Sequence, residues 1–560
     1  MPGPTQTTTP QPRNGNTSAR DEDGKPKGAN KKKNINLLRG WPSASLLPAE
    51  ALRRASQAAL SDPEIFTPAL LYGPDPGYQP LREELARWLG QFYGPALASL
   101  PGPDSGPSLG AAAATEGNSG EDDDAAAAAS RITITGGASQ SVACILQSFT
   151  DPSYTRAVWM AAPCYFLACP IFADAGFAGR MRAVPEDAEG IDVGVLEEKI
   201  REMEKEEDNE TGEGKERGEG KERGGPPRYY KDPGPYRKIY RHVVYCVPSF
   251  SNPSGKTMSL RRREALVRLA RRHDALVVCD DVYDMLQWPV NHPSPSSSSS
   301  SLPLPLPRLA DIDIRLGRSP HDPRAPSPPF GHAVSNGSFS KLVGPGVRTG
   351  WTYSTPAFAT GLSQTGSTRS GGAPSQLTAA VLCGALRAGD VDAHVRRVLR
   401  PAFRRRHALL ARAVRSELGP LGVSVGDGDC GEDEAGGKGG GPEAVFGGYF
   451  LWITFPGGGG GGSSSIFPPA KAIAERCRTD EDLLVGWGGL FEVHGDEEAA
   501  RFEQDLRLCF AWEDEDDLVE GVRRLATVVR KMLDEGPGGW NVREEKGEGE
   551  EEEEDIDQMK

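Results

Sequence analysis

The sequence lacks the features that mark disulfide-bonded, metal-binding and membrane-spanning proteins. Its nine cysteines are scattered along 560 residues without a CxxC pair, and Cys164 and Cys169 are the closest two. Neither a disulfide framework nor a zinc site is therefore expected, and a reducing compartment is favoured. The eight histidines show no HExxH or comparable spacing, so no metal is predicted. No apolar run approaches the roughly 20 residues that span a bilayer, which argues against a membrane protein.

Positive charge is also in short supply. The chain has 64 lysines and arginines against 79 acidic residues, which gives a formal net charge of -15. Because nucleic-acid binding needs a basic surface, it is not expected to be the main function. The N-terminus has no apolar segment of the kind found in secretory signals. The predicted location is the cytoplasm, with an organelle as the alternative.

Several segments are too polar, or too rich in glycine and serine, to form a core. We predict disordered tails at 1–33 and 536–560, the second strongly acidic. The predicted loop insertions are 100–130, 204–227, 291–330, 426–443 and 456–465. The remainder has ordinary globular composition and is long enough for two layered domains.

Strands and helices alternate in this globular remainder. Continuous apolar strands are predicted at 242–248 and 275–281 with an amphipathic helix between them, and a strand at 131–135 precedes another helix. This order predicts a right-handed crossover and an α/β domain with a largely parallel sheet. After residue 376 come arginine-rich helices and one short strand, 505–510, which predict a second, smaller α+β domain.

Ligands of open α/β sheets bind beyond the carboxyl ends of the strands, so the residues that follow the predicted strands are candidates for a site. The strand 131–135 is followed by Gly136 and Gly137, and Ser139 and Gln140 then open a helix. The free N–H groups and dipole of such a helix favour an anion. A plain helix cap is the alternative.

Two further polar residues, Asn252 and Asp280, follow or end buried strands. Asn252 precedes a proline, so it is expected to be extended with its amide pointing from the sheet edge; a turn is the alternative. Asp280 needs a partner, because burying an unpaired carboxylate is costly. A protonated ring nitrogen would serve, with Tyr283 close by, and a capping role is the alternative.

One lysine, Lys341, lies in the short polar loop "SNGSFSKLVGPGVRTGW". It is either a solvated surface charge or a nucleophile beside an anion site. An amine whose pKa is lowered by a nearby cation can form a Schiff base with a carbonyl. Ser338, Ser340 and Arg348 suit a phosphate, since the planar arginine fork matches its geometry.

The alternation of "LRLCF" places Arg507 on the face opposite Leu506 and Leu508. A cation there suits a carboxylate, and an exposed arginine on an edge strand is the alternative. Taken together, the candidates comprise a phosphate anchor, an amide, a carboxylate for a ring nitrogen, a phenol, a carbonyl-capturing lysine and a carboxylate clamp. These are the parts that hold pyridoxal phosphate and an amino acid.

The motifs resemble those of class I/II aminotransferases, which are fold-type I pyridoxal-phosphate enzymes. They follow the family's order from "LLRGWPSASLLP" through "LYGPDPGYQPLREELARWL", "ITGGASQ", "PCYF", "PSFSNPSG", "CDDVY" and "SFSKLVGPGVRTGW" to "LRLCFAW". The resemblance covers about residues 35–530 and is closest to the branch of 2-aminoadipate and kynurenine/aromatic aminotransferases. Val282 stands where this branch often carries proline.

The resemblance implies a fold and a domain layout. The expected fold is α/β, with a mostly parallel seven-stranded sheet between helices in a large domain and a smaller α+β domain beside it. The implied divisions are an N-terminal arm at 34–70, a large cofactor-binding domain at 71–370 and a small C-terminal domain at 371–535. A homodimer is also implied.

The resemblance further implies a use for each candidate residue. The residues expected at the cofactor ring are Lys341, Asp280, Tyr283, Asn252 and Tyr165. Those expected at its phosphate are Ser139, Gln140, Ser338, Ser340, Arg348 and Tyr72, the last reaching the neighbouring subunit. Those expected to bind substrate are Arg507, Asn252 and Gly40.

Within this set, Lys341 is expected to bind the cofactor covalently and to shuttle the Cα proton. Asp280 is expected to pair with the ring nitrogen, Tyr283 and Asn252 to bind the ring oxygen O3′, and Tyr165 to stack on the ring. Lys341, Asp280 and Tyr283 are thus the predicted catalytic residues.

The implied activity, part of amino-acid metabolism, moves the amino group of an aromatic or 2-aminoadipate-like L-amino acid to a 2-oxo acid such as 2-oxoglutarate by a ping-pong mechanism. One alternative is a C–S β-lyase on the same fold, which makes a 2-oxo acid without an acceptor. The other is a non-catalytic regulatory module that binds the cofactor. The intact lysine and carboxylate clamp favour catalysis. No helix-turn-helix segment is found ahead of residue 34, which disfavours the related transcription regulators that are fused to this fold.

Overall fold

The fold is known from a computed structural model, which describes residues 32–99, 126–213, 230–289, 305–426, 445–457 and 467–540. The predicted tails fall largely outside these residues. So do most of the predicted insertions at 100–130, 204–227, 426–443 and 456–465. Within the described part, no helix combines the length and the apolar character needed to cross a membrane.

A large sheet forms the centre of the fold. Its strands in chain order are β1 (Ile132–Thr135), β2 (Ala157–Ala162), β3 (Met181–Asp187), β4 (Gly190–Ile191), β5 (His242–Cys246), β6 (Ala275–Asp280), β7 (Ala333–Ser338) and β8 (Gly350–Tyr353). Their spatial order is β1-β8-β7-β6-β5-β2-β3-β4. The run from β7 to β3 is parallel, whereas β8 and β4 are antiparallel to their neighbours. The predicted α/β fold with a mostly parallel sheet is confirmed, and the two-residue β4 adds an eighth described strand to the seven expected.

Helices surround this sheet and the C-terminal part of the chain. They are α1 (Ala49–Ser61), α2 (Pro63–Ala69), α3 (Gln79–Ser99), α4 (Ala138–Phe149), α5 (Ala168–Phe172), α6 (Val193–Glu213), α7 (Leu260–Arg272), α8 (Leu309–Arg315), α9 (Pro356–Ser363), α10 (Gln376–Arg387), α11 (Asp390–His394), α12 (Arg400–Glu417), α13 (Ala470–Glu481) and α14 (Glu515–Glu535). The helix α6 enters the predicted insertion 204–227 and continues to Glu213.

The central strands are buried on both faces, which explains their continuous apolar sequences. On one face, Val243 of β5 and Leu276 of β6 pack in a cluster with side chains of α4, α5 and α9. On the other face, Val244 and Val277 pack with side chains of α6, α7 and α8. Alternate residues of a strand therefore reach opposite helical layers.

The helix α7 shows how local sequence sets an element. Ser259 caps it by accepting a hydrogen bond from the backbone N–H of Arg262. Leu266, Val267 and Ala270 then recur at helical spacing and are fully buried. The helix ends just before Asp274, whose positive φ of 49° turns the chain into β6.

The C-terminal region contains more strand than the sequence predicted. Its antiparallel sheet consists of β9 (Ser424–Val425), β10 (Phe450–Thr454), β11 (Gly486–Trp487) and β12 (Asp505–Cys509), in the order β9-β10-β12-β11. The expectation of one short strand was wrong, since the described residues form four. The strand β10 was missed because it is only five residues long and follows a glycine-rich stretch. Since β12 lies between β10 and β11, Arg507 is not on an edge.

The insertion predicted at 291–330 also needs correction, because residues 305–330 fold. Arg308 forms a buried ion pair with Asp311 at the start of α8, and its guanidinium lies 4.2 Å and 3.7 Å from the ring centroids of Tyr93 and Tyr353. The flanking prolines and serines obscured the apolar face of α8, which packs on the sheet through residues such as Ile312.

Two short strand pairs connect the N-terminal segment and the large sheet to the C-terminal region. Ile35–Asn36 pairs in parallel with Leu483–Leu484, and Gln287–Pro289 pairs with Val445–Gly447. These pairs bring the segment around residue 40 and the C-terminal sheet to the carboxyl edge of the large sheet.

Replacing the buried Leu266 by alanine is expected to lower the free energy of unfolding by about 2–5 kcal/mol, because the side chain is fully buried between α7 and the sheet. Chemical denaturation followed by circular dichroism measures the change. Arg268→Ala, at an exposed position of the same helix, is the control and should change stability by less than about 0.5 kcal/mol. Equal losses in both variants would contradict the assigned packing.

Candidate functional site

A cavity of about 480 Å³ lies beyond the carboxyl ends of the central strands. Its wall combines the segment 40–42, the start of α4, the segment 165–167, the ends of β6 and β7, and the C-terminal strands β10 and β12. Residues far apart in sequence thus meet at the edge where ligands of α/β sheets bind.

All but two of the predicted site residues line this cavity. They are Gly40, Ser139, Tyr165, Asn252, Asp280, Tyr283, Ser338, Ser340, Lys341, Arg348 and Arg507. The structure therefore brings together a lysine, a carboxylate, two phenols, an amide, three hydroxyls and two arginines in one enclosure.

Gln140 and Tyr72 lie outside the lining. The side chain of Gln140 turns back onto its own turn, where it accepts a hydrogen bond from the Gly136 N–H at 2.9 Å and donates to Cys144 Sγ at 3.0 Å. Tyr72 is 90% exposed on the surface of the chain. Neither side chain lines the cavity within this chain, although both were predicted to contact the phosphate.

Asp280 ends β6 and is buried at the floor of the cavity. Tyr245 donates a hydrogen bond to its Oδ2 at 3.0 Å, and Asn336 donates to its Oδ1 at 3.2 Å. Burial raises the pKa of Asp280 to about 6, and these hydrogen bonds together with the charge of Lys341 act in the opposite direction. The carboxylate is thus poised to meet a cation in the cavity.

Lys341 follows β7, and its ammonium donates a hydrogen bond to the carbonyl oxygen of Gly40 at 2.8 Å. The nitrogen lies 5.0 Å from the ring centroid of Tyr449 and 5.9 Å from that of Tyr283. Burial lowers the pKa of Lys341 to about 8, and the charge of Arg507 adds to this effect. About a tenth of the amines are therefore neutral at pH 7, far more than for an exposed lysine. The amine is suited to nucleophilic attack.

One end of the cavity is suited to an anion. The helix α4 begins there after Gly137, and no side chain caps its first turn, so N–H groups and the helix dipole face the cavity. Arg348 lies beside this turn and donates to the Gly136 carbonyl at 2.8 Å. Ser338 and Ser340 add two hydroxyls, joined by a hydrogen bond of 2.9 Å.

Gly137 permits the close approach of the arginine. Its φ of 101° is in the region that glycine favours. A Cβ at this position would lie 2.9 Å from Arg348 Nη2. Arg348 itself has a positive φ of 43°, which is a strained conformation of the kind found at functional sites.

Another part of the cavity, around Arg507, is suited to a carboxylate. Arg507 is buried, and its guanidinium lies between the rings of Phe450 and Phe491, 4.1 Å and 4.6 Å from their centroids. One Nη donates to Asn252 Oδ1 at 2.8 Å and the other to the Leu38 carbonyl. Its Nε has no hydrogen-bond partner among the described residues. Burial lowers the pKa of Arg507 to about 10, so it is still charged at neutral pH.

The phenols of the cavity are neutral. Burial raises the pKa of Tyr165 to about 12 and that of Tyr283 well above its usual range. Both are available as hydrogen-bond donors or as flat ring surfaces.

Sequence reasoning missed several residues of the site. Tyr245 and Asn336 bind Asp280 from neighbouring strands, and only the strand register reveals the second contact. Tyr449 donates to the backbone carbonyl of Lys341 at 3.1 Å, and Phe450 lies beneath Arg507; both belong to the segment whose strand the sequence did not reveal. Trp41 adds an aromatic wall next to Gly40.

Comparison with known proteins agrees with this geometry. The sequence profile of the family "Aminotransferase class I and II" matches residues 42–431. The chain belongs to this family. An uncharacterized protein of Saccharomyces cerevisiae is 31% identical over 511 residues, which cover 89% of this chain and 98% of the relative.

Two further likenesses agree with this family and its fold. Aromatic-amino-acid aminotransferase 1 of Thermococcus litoralis is 24% identical over 499 residues, covering 89% of this chain and 88% of that protein. The crystal structure of LysN, an α-aminoadipate aminotransferase of Thermus thermophilus, superposes with a TM-score of 0.58 at 22% identity and covers 90% of this chain and 93% of that one. The fold is that of fold-type I aminotransferases.

This aminotransferase therefore uses pyridoxal phosphate, and the cavity fits that group. The uncapped start of α4 with two hydroxyls and an arginine suits the phosphate. The buried carboxylate suits a cationic ring, and the lysine of lowered pKa suits the aldehyde. The buried arginine with an unpartnered Nε leaves a donor for an amino-acid carboxylate.

Gly137→Ala is expected to weaken binding of pyridoxal phosphate by about tenfold or more. The added methyl collides with Arg348, and the positive φ is strained by about 1–3 kcal/mol for a residue with a side chain. Cofactor retention on ultrafiltration measures the effect. Gly136→Ala is the matched control, because its Cβ would make only ordinary contacts of 3.4 Å and longer. Equal cofactor loss in the two variants would refute the assigned function of Gly137.

Proposed function

We propose that this aminotransferase moves the amino group of an aromatic or 2-aminoadipate-like L-amino acid to a 2-oxo acid such as 2-oxoglutarate in a ping-pong cycle. The observation that carries the proposal is the joint placement of Lys341, Asp280 and Arg507 in one cavity. They provide an amine for a carbonyl, a carboxylate for a cationic ring and a guanidinium for an amino-acid carboxylate. When bound, pyridoxal phosphate supplies an aldehyde and an electron-withdrawing protonated ring.

Lys341 acts as the base in this proposal. Its amine would take the proton from the substrate Cα and deliver it to C4′ of the cofactor. The lowered pKa keeps a usable fraction of the amine neutral near pH 8. The hydrogen bond to the Gly40 carbonyl holds the ammonium form between these transfers. Asp280 holds a proton on the ring nitrogen by its negative charge.

The remaining lining residues bind and orient the substrate and the cofactor. Arg507 holds the α-carboxylate of the substrate with charge-assisted hydrogen bonds. Because Asn252 Oδ1 accepts from Arg507, its Nδ2 is left to donate to the ring oxygen O3′ together with Tyr283. Tyr165 stacks on the ring. The residues proposed for the phosphate are Ser139, Ser338, Ser340, Arg348 and the backbone N–H groups at the start of α4.

The walls of the cavity support an aromatic amino donor. Trp41, Phe166, Leu167 and Phe450 all line it, and such surfaces suit a large apolar side chain. The aromatic-amino-acid aminotransferase from Thermococcus litoralis supports the same class of donor.

A second carboxylate, on 2-aminoadipate or 2-oxoglutarate, needs a further cation. Arg39 precedes the lining residue Gly40, and its guanidinium lies 4.9 Å from the ring centroid of Trp41, which also lines the cavity. We propose that Arg39 binds the second carboxylate of such acids. The name of the α-aminoadipate aminotransferase of similar fold supports this class of substrate.

The test is a panel of amino donors with 2-oxoglutarate, followed by glutamate formation. Phenylalanine, tyrosine, kynurenine and 2-aminoadipate are expected to react faster than aspartate or alanine by about tenfold or more. Lys341→Ala is expected to lower turnover by about a thousandfold or more, since the base is lost. Production of 2-oxo acid in the absence of an acceptor, beyond one per site, would instead indicate a lyase.

We also propose that the enzyme is a homodimer in which Tyr72 completes the phosphate site of the neighbouring subunit. Three consecutive apolar side chains, Leu70, Leu71 and Tyr72, are 61%, 64% and 90% exposed. Burying this group of side chains requires a second surface, and a run of exposed apolar residues is typical of an interface.

Complementation between a variant with weakened cofactor binding and an inactive variant tests this dimer. Tyr72→Phe is expected to weaken cofactor binding about tenfold, the effect of one hydrogen bond to a charged group. A mixed dimer combines one Tyr72→Phe subunit with one Lys341→Ala subunit. One of its two sites then has Lys341 from the first subunit and Tyr72 from the second, so activity at limiting cofactor should recover. Tyr230→Phe, also exposed at 86%, is the control and should be neutral. Absence of recovery, or a monomer by light scattering, would refute the proposal.

A further inference from the structure

Asp280 is held by two side chains that do not line the cavity. Tyr245 belongs to β5 and Asn336 to β7, the strands on either side of β6. The register places Asp280 directly opposite Asn336 and pairs Tyr245 with Val278, two residues before Asp280. All three side chains thus project from the same face of adjacent strands.

The contacts are those of a two-sided clamp. Tyr245 donates to Oδ2 at 3.0 Å and Asn336 donates to Oδ1 at 3.2 Å, so each carboxylate oxygen has its own donor. The same Asn336 amide donates to the Ala138 carbonyl at 3.1 Å, which ties it to the start of α4. This second acceptor fixes the amide with its NH₂ toward the carboxylate.

The clamp is buried and its donors are rigid. Tyr245 is 2% exposed and Asn336 fully buried, and the ring of Tyr245 packs edge-on against Phe172 at 5.5 Å between centroids. A polar residue inside an apolar layer is costly unless its hydrogen bond is used. Among the described residues, the remaining titratable groups that face Asp280 are Lys341, Tyr165 and Tyr283.

We propose that Tyr245 and Asn336 are positioning residues that keep the Asp280 carboxylate ionised and oriented toward the cofactor ring. This inference rests on the proposed pairing of Asp280 with the ring nitrogen. Burial alone favours the protonated, neutral acid, whereas a hydrogen bond donated to the carboxylate favours the ionised form. The two donors offset the burial without occupying any of the cavity.

The sign of the effect follows from this competition. Burial raises the pKa of Asp280 to about 6, so below that pH the carboxyl is protonated and loses its attraction for a cationic ring. Removing one donor raises the pKa further, by about one unit for a charge-assisted hydrogen bond. The variant should therefore bind the cofactor normally at pH 8.5 and about fivefold more weakly than the wild type at pH 6.

The experiment compares cofactor dissociation constants of full-length holoenzymes from pH 5.5 to 8.5, measured by ultrafiltration and absorbance. Tyr245→Phe and Asn336→Leu are the test variants. Dividing each value by that of the wild type removes the pH dependence of Lys341, which is common to both. Tyr240→Phe is the matched control. This buried tyrosine lies just before β5, and its hydroxyl donates to the carbonyl of Gly331 and not to Asp280.

An acid-specific loss of affinity in both test variants, with none in the control, supports the clamp. A ratio that is equal at all pH values, or unchanged, overturns it, because a packing defect would weaken binding uniformly. Failure of the wild type to retain pyridoxal phosphate at any pH would overturn the proposed pairing of Asp280, and the clamp with it. The two failures are distinguished by the wild-type measurement alone.

Discussion

A single buried carboxylate, Asp280, sets much of the arrangement around the cavity. It ends a strand whose other residues are apolar and buried, so burial removes most of the solvent that would stabilise its charge. The free-energy cost of that burial is met by donors on the two flanking strands and by a lysine across the cavity. Such a group is stable as an ion only where the parallel sheet brings all of these partners to one edge.

The same edge also uses backbone chemistry. At the start of α4, the turn through Gly137 leaves N–H groups without a capping side chain and lets Arg348 approach the chain closely. This combination gives a positive potential in the part of the cavity where α4 begins. A ligand with a phosphate and a cationic ring is matched by the start of α4 and by the carboxylate of Asp280.

The C-terminal sheet supplies the third side of the cavity. Arg507 is held in an interior strand between two aromatic rings, and its bonds to Asn252 and to the Leu38 carbonyl connect three distant parts of the chain. Its lowered but still high pKa means that the cation persists although it is buried. Because a buried guanidinium requires acceptors, the N-terminal segment and the loop after β5 are fixed against the C-terminal sheet.

Local sequence signals were sufficient to predict the strands β5 and β6, the helices α4 and α7 and most of the lining residues. These signals are hydrophobic periodicity and the glycine, proline and polar residues that follow the strands. It did not reveal β10 or the folded residues 305–330, because glycine- and proline-rich neighbours masked short apolar stretches. The use of Gln140 and the exposure of Tyr72 also lay beyond it, since both depend on what surrounds a side chain. The contacts of Tyr245 and Asn336 with Asp280 are visible only in the folded chain, because strand register joins residues that are 35 and 56 positions away in sequence.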